Sequence, residues 1–160
     1  MNQIVSGAKA STRPLLVKGG SVLSMDSAVG DLDSADILIV DGTIREVGPG
    51  IHVQDAEIID ATGHIVMPGF VDTHRHLWEG LIRNSLADGT LADYFRVVNG
   101  KFGPAYRPQD VYAGTLLSAL GALDAGVTTV LDWAHVQNSP EHTDGSIAAL
   151  RESGLRAVFG

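Results

Sequence analysis

Cysteine is absent from the 160 residues. That excludes disulfides and thiolate ligands, so a metal on this chain would have to be held by histidines and carboxylates. Positive charge is scarce as well: 11 Lys and Arg stand against 19 Asp and Glu, for a net charge of −8. Without a basic stripe to release phosphate counterions, neither nucleic acid nor an anionic membrane is an expected partner. No uninterrupted apolar run approaches the ~18 residues of a membrane span. The opening MNQIVSGAKASTRPLLVKGG lacks the basic start and long apolar block of a secretory signal. A cytoplasmic location is therefore the expectation. What is present, 44% hydrophobic and 19% charged residues, is ordinary globular composition. The length suffices for one core or two small ones.

Residues 1–14 are small and polar, and a flexible N-terminus is expected there. From 15 to 68 the punctuation is that of an all-β unit. LLVKGGSVLSM reads as a strand, a Gly-Gly turn and a second strand. ADILIVDGTIREVG carries Asp41-Gly42 between alternating apolar residues (Ile37 and Ile39, then Ile44 and Val47). Such a pair predicts a type I′ hairpin, whose two central residues need positive φ. AEIIDATGHIVMPGF adds two short strands around Thr62-Gly63.

The grammar changes at Pro68-Gly69. FVDTHRH is strand-like, and a helix is expected after Thr90 in TLADYFRVVNGKF. A longer helix follows, with Pro108 at its first position, Asp110 in the first turn and Gly126 as its stop. Its predicted inner face is Tyr112, Leu116, Ala119 and Leu123. VTTVLDWAH returns to a strand. Ser139 then caps a helix that begins at Pro140 and ends at Gly154, and LRAVFG is a further strand. Strands alternating with helices imply parallel pairing through helical crossovers. The fold class expected is α/β behind an N-terminal all-β unit.

In an extended strand Phe70, Asp72, His74 and His76 share one face. A buried parallel strand is normally apolar on both faces, so three polar, ligand-competent groups in a row are unusual. Two neutral imidazoles two residues apart can bind one zinc or iron(II) ion together. For a bare H-x-H motif, however, a solvated polar strand end is the commoner outcome.

The wider context changes that balance. PGFVDTHRH, directly after a short β unit and at the head of a strand–helix series, resembles the amidohydrolase superfamily, and most of all its cytosine deaminase and triazine hydrolase subgroup. LLVKGGSVLSM, DILIVDGTIREVG and IIDATGHIVMPGF resemble strands of the family's accessory β domain. HLWEGLIRNSLADGTLADYF resembles its long first loop and helix, and AGVTTVLDW its second barrel strand. The resemblance implies part of a composite β-sandwich over 15–68. It implies the first three strands of an incomplete (β/α)8 metal-dependent hydrolase barrel over 69–160, since a whole barrel takes about 250 residues.

By resemblance, His74 and His76 are the first two ligands of a divalent metal, zinc foremost and iron(II) next. Asp72 would support them from behind. Trp78, Glu79 and His135 are further candidates for that supporting role or for a substrate pocket, with packing the plainer role for Trp78. Arg83 would serve a loop salt bridge or recognition. His52 and His64 read as surface or turn residues, and His142 as a solvated residue in a first helical turn. No catalytic acid or base is assignable in this chain. The activity implied is deaminase-like hydrolysis of a C–N bond in a heterocyclic or amide small molecule, through a metal-activated water. The remaining barrel segment or a second chain would complete the site, and a homo-oligomer is implied. Two alternatives stand beside this reading. One is a catalytically inactive fragment acting as a binding or oligomerisation module. The other is a structural metal at an oligomer interface, completed by His135 or a symmetry mate.

Overall fold

The computed structural model describes residues 4–5 and 13–160, so most of the segment expected to be a flexible N-terminus lies outside the described residues. The chain divides into two compact units, Lys9–Pro68 and Met1–Ala8 together with Gly69–Gly160. The short strand β1 (Ile4–Val5) belongs to the latter. Among the described residues no helix is long and apolar enough to cross a membrane.

The unit Lys9–Pro68 is a sheet of five strands: β2 (Leu15–Leu23), β3 (Asp31–Val40), β4 (Thr43–Gly48), β5 (Glu57–Asp60) and β6 (Ile65–Val66). The order is β4-β3-β2-β5, with β6 also on β2. Asp41 and Gly42 take φ of 51° and 70°, the paired positive values that the hairpin between β3 and β4 demands. The expected Gly-Gly turn is not a turn. β2 runs unbroken from Leu15 to Leu23, and Gly19-Gly20 sits where its register against β3 shifts. The cause is Asp36, buried on β3, whose carboxylate accepts the Gly19 N–H at 2.9 Å and the Ile51 N–H at 3.0 Å. With φ of 74°, Gly19 presents that N–H from a conformation that favours glycine. The two halves of β2 then pair in parallel with β5 and β6 in turn. Val22, Ala35 and Ile37 form the core of this unit. His52 and His64 are exposed in it, His64 donating from Nδ1 to the Thr62 carbonyl.

The second unit holds β7 (Phe70–Arg75), β8 (Val127–Asp132) and β9 (Arg156–Phe159), parallel and in sequence order, with β1 antiparallel on the outer edge of β9. A 3-10 turn (Leu77–Ile82) follows β7. Then come α1 (Leu91–Tyr94), a π-helical stretch (Phe95–Phe102), α2 (Gly103–Ala105) and α3 (Pro108–Asp124). Thr90 and Asp93 form a reciprocal capping box at the start of α1. The crossover from β8 to β9 is α4 (Pro140–Ser153), closed by Gly154 at φ 74°.

The buried face of α3 matches the predicted one only in part, sharing Ala119, with Leu123 packed against the core from its edge. It is Val111, Gly114, Thr115, Ala119 and Ala122, with Tyr112, Leu116 and Leu123 on its flank. The reason is close approach: a Cβ on Gly114 would lie 2.2 Å from the Trp78 carbonyl oxygen, and one on Gly80 would lie 2.5 Å from the Gly114 carbonyl oxygen. Small residues let the 3-10 turn lie directly on the helix, while larger side chains are displaced to either side. His142 likewise departs from its expected solvated place. It is 6% exposed, and its Nε2–H donates to the Tyr106 carbonyl at 2.9 Å, giving a partner to an acceptor just past α2.

Candidate metal and substrate site

The strand that carries the two histidines is irregular. Asp72 pairs with Val130 and Arg75 with Asp132, so β7 fits one extra residue into this interval and bulges at Thr73–His74. His76 follows the strand's last residue. The two imidazoles meet edge to face, with centroids 5.2 Å apart and planes at 83°. The Nδ1–H of His76 donates to the carbonyl of Trp133 at 2.7 Å. A carbonyl only accepts, so Nδ1 of His76 carries a proton, and in the neutral ring the lone pair is on Nε2. A backbone carbonyl behind the ring commonly prepares a metal-binding imidazole in this way.

Asp72 is tied to its own strand. Its carboxylate accepts the His74 backbone N–H at 3.1 Å and the Arg75 Nε–H at 2.7 Å, touching neither imidazole by a hydrogen bond. The Arg75 guanidinium is the main reason its pKa lies below the usual carboxylate range. Asp132, at the end of β8, is 1% exposed, and its Oδ1 accepts the Leu77 N–H at 3.1 Å while Oδ2 has no partner. Burial pushes its pKa up to about 6.

Trp78, Glu79 and His135 come together with Tyr94 in one directed chain. The indole Nε1–H of Trp78 donates to His135 Nδ1 at 3.0 Å. Neutral His135 therefore carries its proton on Nε2, which lies 3.2 Å from the Tyr94 hydroxyl. Tyr94 in turn donates to Glu79 Oε1 at 2.5 Å. Partial burial, followed by the nearby His76, lowers the His135 pKa and favours this neutral form. Trp78 itself is 1% exposed in a cluster with Val98, Val111 and Val136, so its body is core and only its N–H is committed to the chain.

An open cleft of about 1010 Å³ lies beside the pair, and Asp72, His74, His76, Glu79, Arg83 and Tyr94 are among its lining residues. Trp78 and His135 do not line it. Two imidazoles suit a divalent ion as two of its ligands, but no group of three or more His, Asp or Glu able to hold a metal occurs among the described residues.

The model of the amidohydrolase family matches residues 65–160, the stretch that carries this pair. The chain belongs to that family. Among its relatives, the 5′-deoxyadenosine deaminase of Methanosarcina acetivorans is 33% identical over 143 residues, which are 89% of this chain and 32% of that protein. The 5-methylthioadenosine/S-adenosylhomocysteine deaminase of Symbiobacterium thermophilum is 33% identical over 150 residues, 90% of this chain and 32% of that protein. The crystal structure of atrazine chlorohydrolase TrzN from Arthrobacter aurescens TC1 complexed with zinc is similar with a TM-score of 0.76 and 27% identity. That likeness covers 89% of this chain and 34% of TrzN. This amidohydrolase chain thus spans about a third of the length of the relatives it matches.

Asp132, Tyr94 and Trp133 lie beside the candidate residues and are not among those picked out from the sequence. In the sequence Asp132 only ends a β-branched run, and Tyr94 lies within the helix expected after Thr90. Each gains its place only through pairing between β7 and β8 or through the placement of α1, which no local spacing encodes.

Proposed function

We propose that this chain is part of a metal-dependent hydrolase of C–N bonds, deaminase-like and acting on a heterocyclic or amide small molecule. In this reading His74 and His76 are two ligands of a divalent ion, zinc first and iron(II) second. Residues 69–160 supply the first three strands of a (β/α)8 barrel, and 15–68 part of its accessory β-sandwich. The observation that carries it is the His76 Nδ1–H held on the Trp133 carbonyl, which leaves Nε2 as the ligand atom of the neutral ring, with the imidazole set edge to face with His74. The deaminase relatives and the zinc-complexed TrzN support the choice of chemistry. An ion held there supplies activation of water and polarisation of the substrate. The chain's own residues bind and orient: Glu79, anchored by Tyr94, offers an acceptor to the cleft, and Arg83 a donor.

The test supplies the missing ligands. Co-expressed with a polypeptide covering the other two thirds of the relatives' length, the chain should retain divalent metal through gel filtration and release ammonia from amino-substituted heterocycles. His74→Ala and His76→Ala should each abolish both. An assembly that retained no metal above background would overturn the proposal.

A further inference from the structure

One tripeptide after β8, Trp133-Ala134-His135, makes three contacts with the two imidazoles. The Trp133 indole lies against His74, with centroids 5.0 Å apart and planes at 31°. The Trp133 carbonyl takes the His76 Nδ1 proton. The His135 ring stacks on His76 at 4.3 Å and 19°. The tripeptide is itself fastened to the strand end. Trp133 donates its backbone N–H to the Arg75 carbonyl at 2.8 Å and its indole N–H to the Thr73 carbonyl at 3.2 Å. His135 is held from the other side by Trp78 and Tyr94.

Two other roles for these residues fit less well. Trp133 is 47% exposed, so core packing does not account for an indole at this position. His135 cannot act as a ligand while it keeps these partners, because Nδ1 accepts from Trp78 and Nε2 faces the Tyr94 hydroxyl. Both side chains are instead placed to restrict the rotation of their neighbours. Fixing two ligand rings before a cation arrives lowers the ordering cost of binding it.

We propose that Trp133 and His135 are the positioning residues of the His74–His76 pair, fixing the ring planes while the Trp133 carbonyl fixes the His76 tautomer. The inference rests on the metal-ligand reading of that pair, and the experiment separates the two. Long-range 1H–15N spectra of the imidazoles are recorded on the metal-free 160-residue chain and during titration with zinc chloride. The parent should show His76 as the Nδ1–H tautomer and His74 ring protons shifted upfield by the indole. Trp133→Leu should lose that upfield shift, and the zinc midpoint should rise about tenfold. Trp133→Phe keeps a ring over His74, so a reduced upfield shift and a midpoint within about threefold of the parent are expected. It reads the same contact if the leucine variant folds poorly, and an unchanged His74 shift in it would overturn the proposal. So would a parent His76 protonated on Nε2, or a leucine variant matching the parent in both readouts. If the upfield shift of His74 is present in the parent and lost in Trp133→Leu, yet zinc moves neither histidine, the positioning role stands and the metal-ligand reading falls.

Discussion

Asp132 places a carboxylate where water does not reach, with one oxygen on the Leu77 N–H and the other without a partner. Burial makes the charged form costly, and the folded pKa rises from 3.8 to about 6. The folded chain therefore binds this proton more tightly than the unfolded chain does. Its contribution to stability is full below pH ~4 and is lost as pH rises through about 6. In the metal-free chain, stability from urea unfolding should fall between pH 4 and pH 6 on this account. Asp132→Asn retains an acceptor for Leu77 and should flatten that slope. An equal slope in parent and variant would show that Asp132 does not titrate in this window. The same residue shows what a single sequence conceals. His74 and His76 stand out by their two-residue spacing alone, whereas Asp132 becomes notable only once β7 and β8 are paired and the Leu77 N–H arrives above it.

Among the elements, the contact of the 3-10 turn with α3 positions the residues after His76. Leu77, Trp78 and Gly80 of the turn are buried, and Gly80 and Gly114 allow the two backbones to approach. Gly114→Ala would press a methyl group into the Trp78 carbonyl. Overpacking of this kind costs about 1–3 kcal/mol. A fall in the urea midpoint is expected, together with loss of the Trp78–His135 hydrogen bond, read from the indole N–H resonance. Gly121 faces open space on the same helix. Gly121→Ala should raise stability by about 1 kcal/mol through helix propensity alone. Equal effects of the two changes would refute the packing argument. Local chemistry made several elements readable in advance. The β3–β4 hairpin follows from Asp41-Gly42, and the caps of α1 and α4 follow from Thr90 and Gly154. Gly19-Gly20 did not yield to the same approach. A glycine pair serves equally as a turn or as a break in register, and Asp36, on the neighbouring strand, decides between them. The inner face of α3 was partly hidden for a related reason. Apolar spacing points to the large residues, while close approach of two backbones selects the small ones.

For the molecule as a whole, the telling property is how much large apolar surface stays in contact with water. On the unit Lys9–Pro68, Ile44, Ile58, Ile59 and Ile65 are exposed, and all four residues of β5 are exposed. On the other unit, β7 ends its sheet, with Phe70 and Val71 exposed on it and Leu117 and Leu120 exposed on α3. Exposed apolar side chains beside a free strand edge mark either a surface meant to be covered or a route to self-association. The chain also spans about a third of its relatives' length, which makes covering by further polypeptide one occupant and a second copy another. The two readings of function part at this point. Alone, the chain should associate with rising concentration in sedimentation velocity and should brighten an apolar dye. Lysine blunts strand edges, so Ile58→Lys and Val71→Lys should shift the chain toward its 16.8 kDa monomer. If the chain is a working part of a hydrolase, adding the polypeptide that supplies the other two thirds should suppress both signals and replace the self-associated species with a single larger complex. If it is an oligomerisation module, the self-associated species should persist unchanged beside that polypeptide. A parent that remains monomeric and dark to the dye at every concentration would refute the shared premise that these faces are unsatisfied.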